Sequence, residues 1–452
     1  MALAGAGEGG FSGQAVLQTR HPRAILTLGI LLLFTILSYI DRMVLVLLID
    51  PIKRDLLISD VQVSLLQGLA FALCFSLAGL PLGWLADRYS RRWIIYLGIT
   101  AWSFATAAGG LASSFGELFL ARFCVGVGEA ALAPAAYTML ADLFPRRQLA
   151  AATGVLATGG AIGGGTAVLA GGLVVAWAEK AGVVALPLIG AVQPWQLVFL
   201  SFGIPGIIAA FLIFLAPETR RQAPTSPQPH AAAAPGFGRW LAANWLFVST
   251  IVVGTGCLGI LAYAVTNWTP AYLSRALGLD PREIGLTLGL VTLFAGIVGF
   301  AGSGVMIDWL TARNLRNATY SYLIASGVVS GSMAVAAFAL APNLTVVMIC
   351  LGLFHMAIPF TTAMVAGAQA GTPRAYRGRM IAILNLSATL VGMIVGPSSV
   401  ALLTDKVFMD PAKVGWSVAI VCGVAAPLAI LIYLAGFRAA ARAMDRVRES
   451  GE

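Results

Sequence analysis

The sequence predicts an all-α membrane protein of 12 transmembrane helices arranged as two pseudo-symmetric six-helix bundles. Three observations lead there. Of 452 residues, 59% are hydrophobic and only 10% are charged, whereas soluble domains are nearer a quarter charged, so too little charge remains to coat two or three soluble domains. The apolar residues fall in blocks of about 20, the length that crosses a ~30 Å hydrocarbon core. Motifs at the block ends of the first half return, in the same order, in the second.

In chain order, residues 1–23 are a Gly- and Ala-rich tail without the basic segment, short apolar core and cleavage site of a signal peptide. Crossings follow at 24–50, 62–83, 93–112, 117–140, 148–177 and 196–216, an N-terminal bundle over 24–216. Residues 217–243 form a linker whose core, PETRRQAPTSPQPHAAAAPG, is rich in Pro and Ala and predicts a flexible connection. The C-terminal bundle, 244–437, holds crossings at 244–273, 284–306, 319–341, 344–370, 379–403 and 414–437, and 438–452 is a second tail.

The basic residues orient the chain. Of 28 Lys and Arg, 19 lie in the two tails and the connections on their side of the membrane, 7 lie on the opposite side, and Arg42 and Arg122 lie inside crossings. The positive-inside rule makes both termini cytoplasmic, in a bacterial-type inner membrane. The net charge of +9 is then an orientation signal and calls for no nucleic-acid partner. Cys74, Cys124, Cys257, Cys350 and Cys422 all fall in apolar blocks with no CxxC, which predicts neither disulfide nor metal site. No cofactor is expected.

The repeat is carried by three marks. GWLADRYSRR follows the second crossing and GVMIDWLTAR the eighth, with Gly83 and Gly304 each four residues before Asp87 and Asp308, an offset of 221. Pro145 and Pro373, after the fourth and tenth crossings, are offset by 228, and Gly160 and Gly164 of the fifth crossing stand 232 before Gly392 and Gly396 of the eleventh. Two related halves of this kind are the pattern of a large class of secondary transporters.

GWLADRYSRR closely resembles the loop signature of the major facilitator superfamily, with Ser90 where the signature usually has a second Gly, and PETRR after the sixth crossing also resembles that superfamily. The fifth crossing, GGAIGGGTAVLAGG, is Gly-rich like the antiporter signature but lacks its Gly-Pro, which leaves symport and antiport both open. SYIDRMVL with RFCVGVGEAALAPAAYTMLADLFP is similar to bacterial spinster-like proteins, whose animal relatives move sphingosine-1-phosphate or lysophospholipids. The Tyr-x-Asp-Arg element also occurs in organic-anion transporters of the superfamily. The resemblance implies the major facilitator fold and alternating access.

Four charges lie within crossings away from the helix ends: Asp41, Arg42, Arg122 and Glu129. A charge at mid-membrane costs at least ~2.5–3.5 kcal/mol, so such groups persist when paired or facing water. Helix 1 runs outward and helix 4 inward. At 1.5 Å per residue, Asp41 lies ~12 Å, Arg122 ~8 Å and Glu129 ~18 Å below the outer surface. Adjacent helical residues point about 100° apart, so Asp41 and Arg42 need different partners, and the compatible ones are Arg122 for Asp41 and Glu129 for Arg42. The four are either static salt bridges or a proton site. In the second case a carboxylate whose arginine moves away is left desolvated and takes up a proton. Asp41 is the favoured carrier and Glu129 the alternative.

Gly83, Asp87, Arg88, Arg91, Arg92, Asp142, Arg146 and Asp308 form a second group at the cytoplasmic helix ends, read as an inner gate against the blander reading of a solvated orientation loop. The second half has no midspan carboxylate. Its interior polar and aromatic groups, Tyr263, Asn267, His355, Phe360 and Asn385, are the substrate-cavity candidates. His355 either binds an anionic head group or is neutral and hydrogen-bonded. An apolar tail would suit this half, and a phosphate or carboxylate head would suit Arg42 and Arg122 in the other.

The expected function is a proton-coupled secondary active transporter of an amphipathic sphingolipid- or lysophospholipid-like substrate, with small organic anions or drugs as the alternative cargo. Its expected partners are that substrate, protons and the bilayer, and it is expected to act as a monomer. A lipid scramblase or channel is the non-transporter alternative. The chain lacks a Walker sequence, HExxH and GxSxG, which argues against an ATPase and against an enzyme.

Overall fold

The computed structural model describes residues 11–187, 190–218, 236–313 and 317–449. It is built almost entirely of helices. α1 is Phe11–Leu47; α2 is Asp60–Gln67 and Leu69–Arg88; α3 is Arg91–Gly109; α4 is Phe115–Glu129 and Leu132–Leu143; α5 is Arg146–Ala181; α6 is Pro194–Ala210. In the second half α7 is Trp245–Leu277; α8 is Pro281–Ala312; α9 is Ala318–Val335; α10 is Leu344–Ala357 and Phe360–Gly371; α11 runs from Arg377–Leu386 to Gly396–Leu402; α12 is Val414–Glu449. Short helices Ile49–Leu56 and Phe237–Ala243 lie against the ends of the long ones, and a small antiparallel hairpin, β1 (Val184–Leu186) with β2 (Gly190–Val192), joins α5 to α6.

Helix starts are written in the sequence. The first backbone N–H groups of a helix have no partner within it, and polar side chains supply one here. Ser59 and Asp280 form capping boxes with Gln62 and Glu283, and Ser90, Ser114, Asn317 and Asn343 accept from the backbone N–H three residues on.

Eleven segments among the described residues are long and apolar enough to cross a membrane. The expected crossing 93–112 is not among them: its helix, Arg91–Gly109, has 19 residues but opens on two arginines and carries Thr and Ser along its length. The expected tail from 438 is a continuation of α12, helical to Glu449. Ala440, Ala443, Met444 and Val447 repeat at helical spacing and are buried, which a reading by mean polarity misses. The expected linker lies outside the described residues over 219–235, while 237–243 are helical. The tail residues 1–10 and the side chains of Asp87 and Arg146 also lie outside the described residues.

Within the first half α1 packs on α5, α2 on α4, and α3 on α4 and α6; within the second, α7 packs on α11 and α12, α9 on α12, and α8 on α10. Between these groups runs a seam of α5 against α8 and α2 against α11. Glycine makes it possible. A Cβ at Gly165 would overlap the backbone of Leu293, and one at Gly172 would overlap Gly285. Gly68, at the break in α2, sits on the carbonyl of Met393 where α11 widens into a π-helical stretch, Ser387–Val395.

Polar contacts reinforce the seam at the end of the molecule away from the arginine-rich connections. Arg275, in the last turn of α7, reaches Asp50 at 2.7 Å and Asp60 at 2.8 Å. Lys53 meets Asp60 at 2.5 Å. The Val61 N–H donates to Asp405 at 2.9 Å, and Ser64 and Ser398 bond at 3.3 Å. Towards the arginine-rich end, a Cβ on Gly154, Gly302 or Gly304 would meet nothing within 4 Å.

Candidate functional site

The two carboxylates and two arginines inside the first half come together between α1, α3 and α4. Asp41 and Arg42 turn to different sides of α1, as the helical twist requires. Arg42 meets Glu129 of α4 at 2.6 Å, and the Ser38 hydroxyl, one turn before Arg42, donates to the same Glu129 oxygen at 2.7 Å. Asp41 lies 3.7 Å from the Arg122 guanidinium, which also donates to the Asp41 backbone carbonyl at 3.4 Å. The Thr106 hydroxyl of α3 donates to Asp41 at 2.6 Å.

The pairs differ in setting. The Glu129 side chain is 0% exposed and Arg122 3%, whereas Arg42 is 18% exposed, so Arg42 is the one member open to its surroundings. Glu129 Oε1, Asp41 Oδ2 and Arg122 Nε have no hydrogen bond. Glu129 is thus held through one oxygen, whereas Asp41 is held by Thr106 on one oxygen and faces the Arg122 guanidinium with the other. A small cavity lined by Leu37, Ile99, Trp102, Ser103 and Gly206 lies behind Asp41.

Sequence reasoning gave the four charges and their partners but missed what surrounds them. The Arg42 guanidinium lies 4.7 Å from the Phe71 ring, 4.9 Å from Phe75 and 5.2 Å from Tyr39. Aromatic faces attract a cation without neutralising it. The spacing of Phe71 and Phe75, one turn apart on α2, was the available signal. Tyr263 of α7 packs with Phe75 against the apolar cluster that holds Phe71, so the second half also borders this region. A Cβ on Gly160 would meet Tyr39 at 2.9 Å, and one on Gly392 would meet Tyr263 at 2.8 Å. The glycine repeat therefore backs one tyrosine in each half.

The other cavity candidates do not converge on this point. Asn267 and Phe360 are 4% and 6% exposed, and Asn267 donates to the Tyr263 carbonyl; both belong to packing rather than to a cavity wall. His355 sits where α10 passes α8, edge-on to Phe354 at 5.3 Å, with its carbonyl against Gly299. Asn385 is exposed on the first part of α11.

The arginine-rich group is partly organised. Arg91 pairs with Asp142, tying the start of α3 to the end of α4. Arg92 donates to the Phe214 carbonyl at 3.1 Å and approaches Glu218 at 3.9 Å. Arg88 lies over Trp84 at 4.1 Å, as Arg313 lies over Trp309 at 3.9 Å in the second half. Gly83 faces Pro134, and Asp308 is exposed. These contacts lie within single halves.

Comparison with known proteins agrees with this architecture. The chain is 28% identical to an MFS-type efflux pump of Mycolicibacterium smegmatis over 67% of this chain and 68% of that one. It is 24% identical to Protein spinster of Drosophila melanogaster over 64% of this chain and 46% of that one. It is 26% identical to a probable L-galactonate transporter of Escherichia coli over 74% and 73%. A crystal structure of a bacterial homolog of the human lysosomal transporter Spinster, inward-facing and unoccupied, superposes with a TM-score of 0.74 at 23% identity, covering 95% of this chain and 98% of that one, a likeness of fold. The Major Facilitator Superfamily profile matches residues 31–397. Spanning more than half of the chain, that match makes this protein a member of the Major Facilitator Superfamily of membrane transporters.

Proposed function

We propose that the protein is a proton-coupled secondary active transporter that carries an amphipathic lipid-like substrate, of sphingolipid or lysophospholipid type, by alternating access. The observation that carries the reading is the paired cluster. Asp41 and Glu129 are buried carboxylates, Glu129 bound through one oxygen to Arg42 and Ser38, and Asp41 bound through one oxygen to Thr106 with Arg122 3.7 Å from the other. A carboxylate in that setting stays ionised while its arginine is close and takes a proton when the arginine leaves. Arg42 is free to leave Glu129 for an anionic head group, because aromatic rings rather than a second carboxylate surround its other faces. Asp41 remains the favoured carrier and Glu129 the alternative.

Several finer features belong to the same reading. The helix Arg91–Gly109 crosses the membrane as well, giving twelve crossings in two six-helix halves, 24–216 and 244–437, joined by 217–243. Both termini are cytoplasmic in a bacterial-type inner membrane, and the protein acts as a monomer. Gly83, Asp87, Arg88, Arg91, Arg92, Asp142, Arg146 and Asp308 form the inner gate. Tyr263 faces the substrate from the second half.

A second reading, transport of small organic anions, is favoured by the kinship to a probable L-galactonate transporter and by a cluster that would serve a carboxylate as well as a phosphate. A thermal-shift screen of purified protein against lysophospholipids and sugar acids, at two pH values, separates the two. Stabilisation by lysolipids alone supports the first reading, and stabilisation by sugar acids alone overturns it.

A further inference from the structure

The second group of buried charges lies at the opposite end of the molecule from the arginine-rich connections, and the proton-site reading does not use it. Asp60, the first residue of α2, has a side chain that is 0% exposed. It is held by two cations, Lys53 at 2.5 Å and Arg275 at 2.8 and 2.9 Å. Arg275 is 8% exposed and also binds Asp50 at 2.7 Å. Two acids and two bases balance, so the cluster can stay buried without a net charge.

Its wiring is uneven. Asp50 and Lys53 belong to the segment between α1 and α2 and Asp60 opens α2, all in the first half, whereas Arg275 comes from α7 in the second. Lys53–Asp60 is therefore internal to one half, and both Arg275 bonds cross between halves. If the halves part at this end, Asp60 keeps Lys53, while Arg275 loses both carboxylates at once. Two weaker contacts cross the same seam: Asp405 of the second half accepts from the Val61 N–H at 2.9 Å, and Ser64 meets Ser398 at 3.3 Å. Neither places a charge opposite a charge.

We propose that Arg275 is the latch of this end of the transporter: its paired bonds to Asp50 and Asp60 hold the closed state, and opening here consists of withdrawing that one guanidinium. Asp60 stays neutralised by Lys53 throughout, so opening exposes one cation and one carboxylate, Asp50, rather than a bare buried acid. A bidentate arginine suits this role because the geometry of the fork is lost as soon as the halves rotate. The latch rests on the reading of the protein as an alternating-access carrier, but its test needs neither substrate nor proton movement.

Ser64 and Ser398 provide the probe, because their hydroxyls already touch across the seam. With Cys124 changed to Ala, the pair Ser64→Cys and Ser398→Cys should form a disulfide rapidly under a mild oxidant in the otherwise native chain. Arg275→Gln should slow that cross-linking about tenfold or more, as the population moves away from the closed state. Asp50→Asn, at a side chain that is 23% exposed and whose loss leaves Asp60 and Lys53 paired, should slow it less but measurably, which guards against misfolding of the Arg275 variant. Lys53→Gln breaks only a bond inside the first half and should leave the rate unchanged or raise it. Unchanged cross-linking in both Arg275→Gln and Asp50→Asn overturns the latch, as does slowing in Lys53→Gln equal to that in Arg275→Gln. Loss of substrate uptake with normal cross-linking changes would count against the transport reading and not against the latch.

Discussion

Glu129 is a fully buried carboxylate that takes hydrogen bonds from Arg42 and Ser38 on one oxygen and none on the other. Removing one member of a buried ion pair leaves the other uncompensated, at a cost of about 3–5 kcal/mol. Arg122→Ala should therefore destabilise the folded protein by about that amount, measured by unfolding in mixed detergent, and adding Asp41→Asn to it should recover most of the loss. If the single variant is as stable as the native chain, Asp41 and Arg122 are not a mutually dependent pair. The charges themselves were legible in the sequence because an ionised residue in an apolar run stands out, and the helical rise set their depths. Ser38 and Thr106 were not legible as partners. Serine and threonine are ordinary helix residues that usually bond their own backbone, and no depth argument gives the direction in which α3 turns Thr106. Nor was the packing of Asn267 and Phe360 legible, because a polar or aromatic residue within a crossing looks the same whether it faces a cavity or a neighbouring helix.

At the scale of elements, the crossings follow from blocks of apolar residues and from polar caps at their starts, and these are local signals. What was not local was not legible. The end of α12 has a polar composition but a buried stripe, Ala440, Ala443 and Val447. Ala443→Arg should lower the thermal midpoint by several degrees, while Arg442→Ala on the exposed side leaves it unchanged; equal effects would mean that the stripe is not packed. The α5–α8 seam depends on backbones in contact at Gly172 and Gly285. Gly172→Val should slow the Ser64→Cys and Ser398→Cys cross-link and reduce transport, whereas Gly154→Ala, where the added carbon meets nothing within 4 Å, should do neither. The charges at 50–60 and at Arg275 were read as connection residues, because their sequence positions are at helix ends and the pairing runs over 215 residues; only the folded chain brings them together.

At the scale of the whole molecule, the two halves are related by marks that the sequence displays, and the repeat has a structural consequence: Gly160 backs Tyr39 as Gly392 backs Tyr263. The charge is not repeated. The first half holds the four midspan charges and the second supplies Tyr263, packed against the cluster that holds Phe71. A carrier of this design couples its cargo to protons only if the asymmetric cluster changes its pairing as the halves rock. The most direct test uses proteoliposomes containing a trapped pH dye and an added lysophospholipid with a phosphate head group. The account predicts that the native protein moves protons when the lipid is added, and that Asp41→Asn or Glu129→Gln abolishes the proton signal while exchange of labelled lipid continues. Undiminished proton movement in both variants would contradict it.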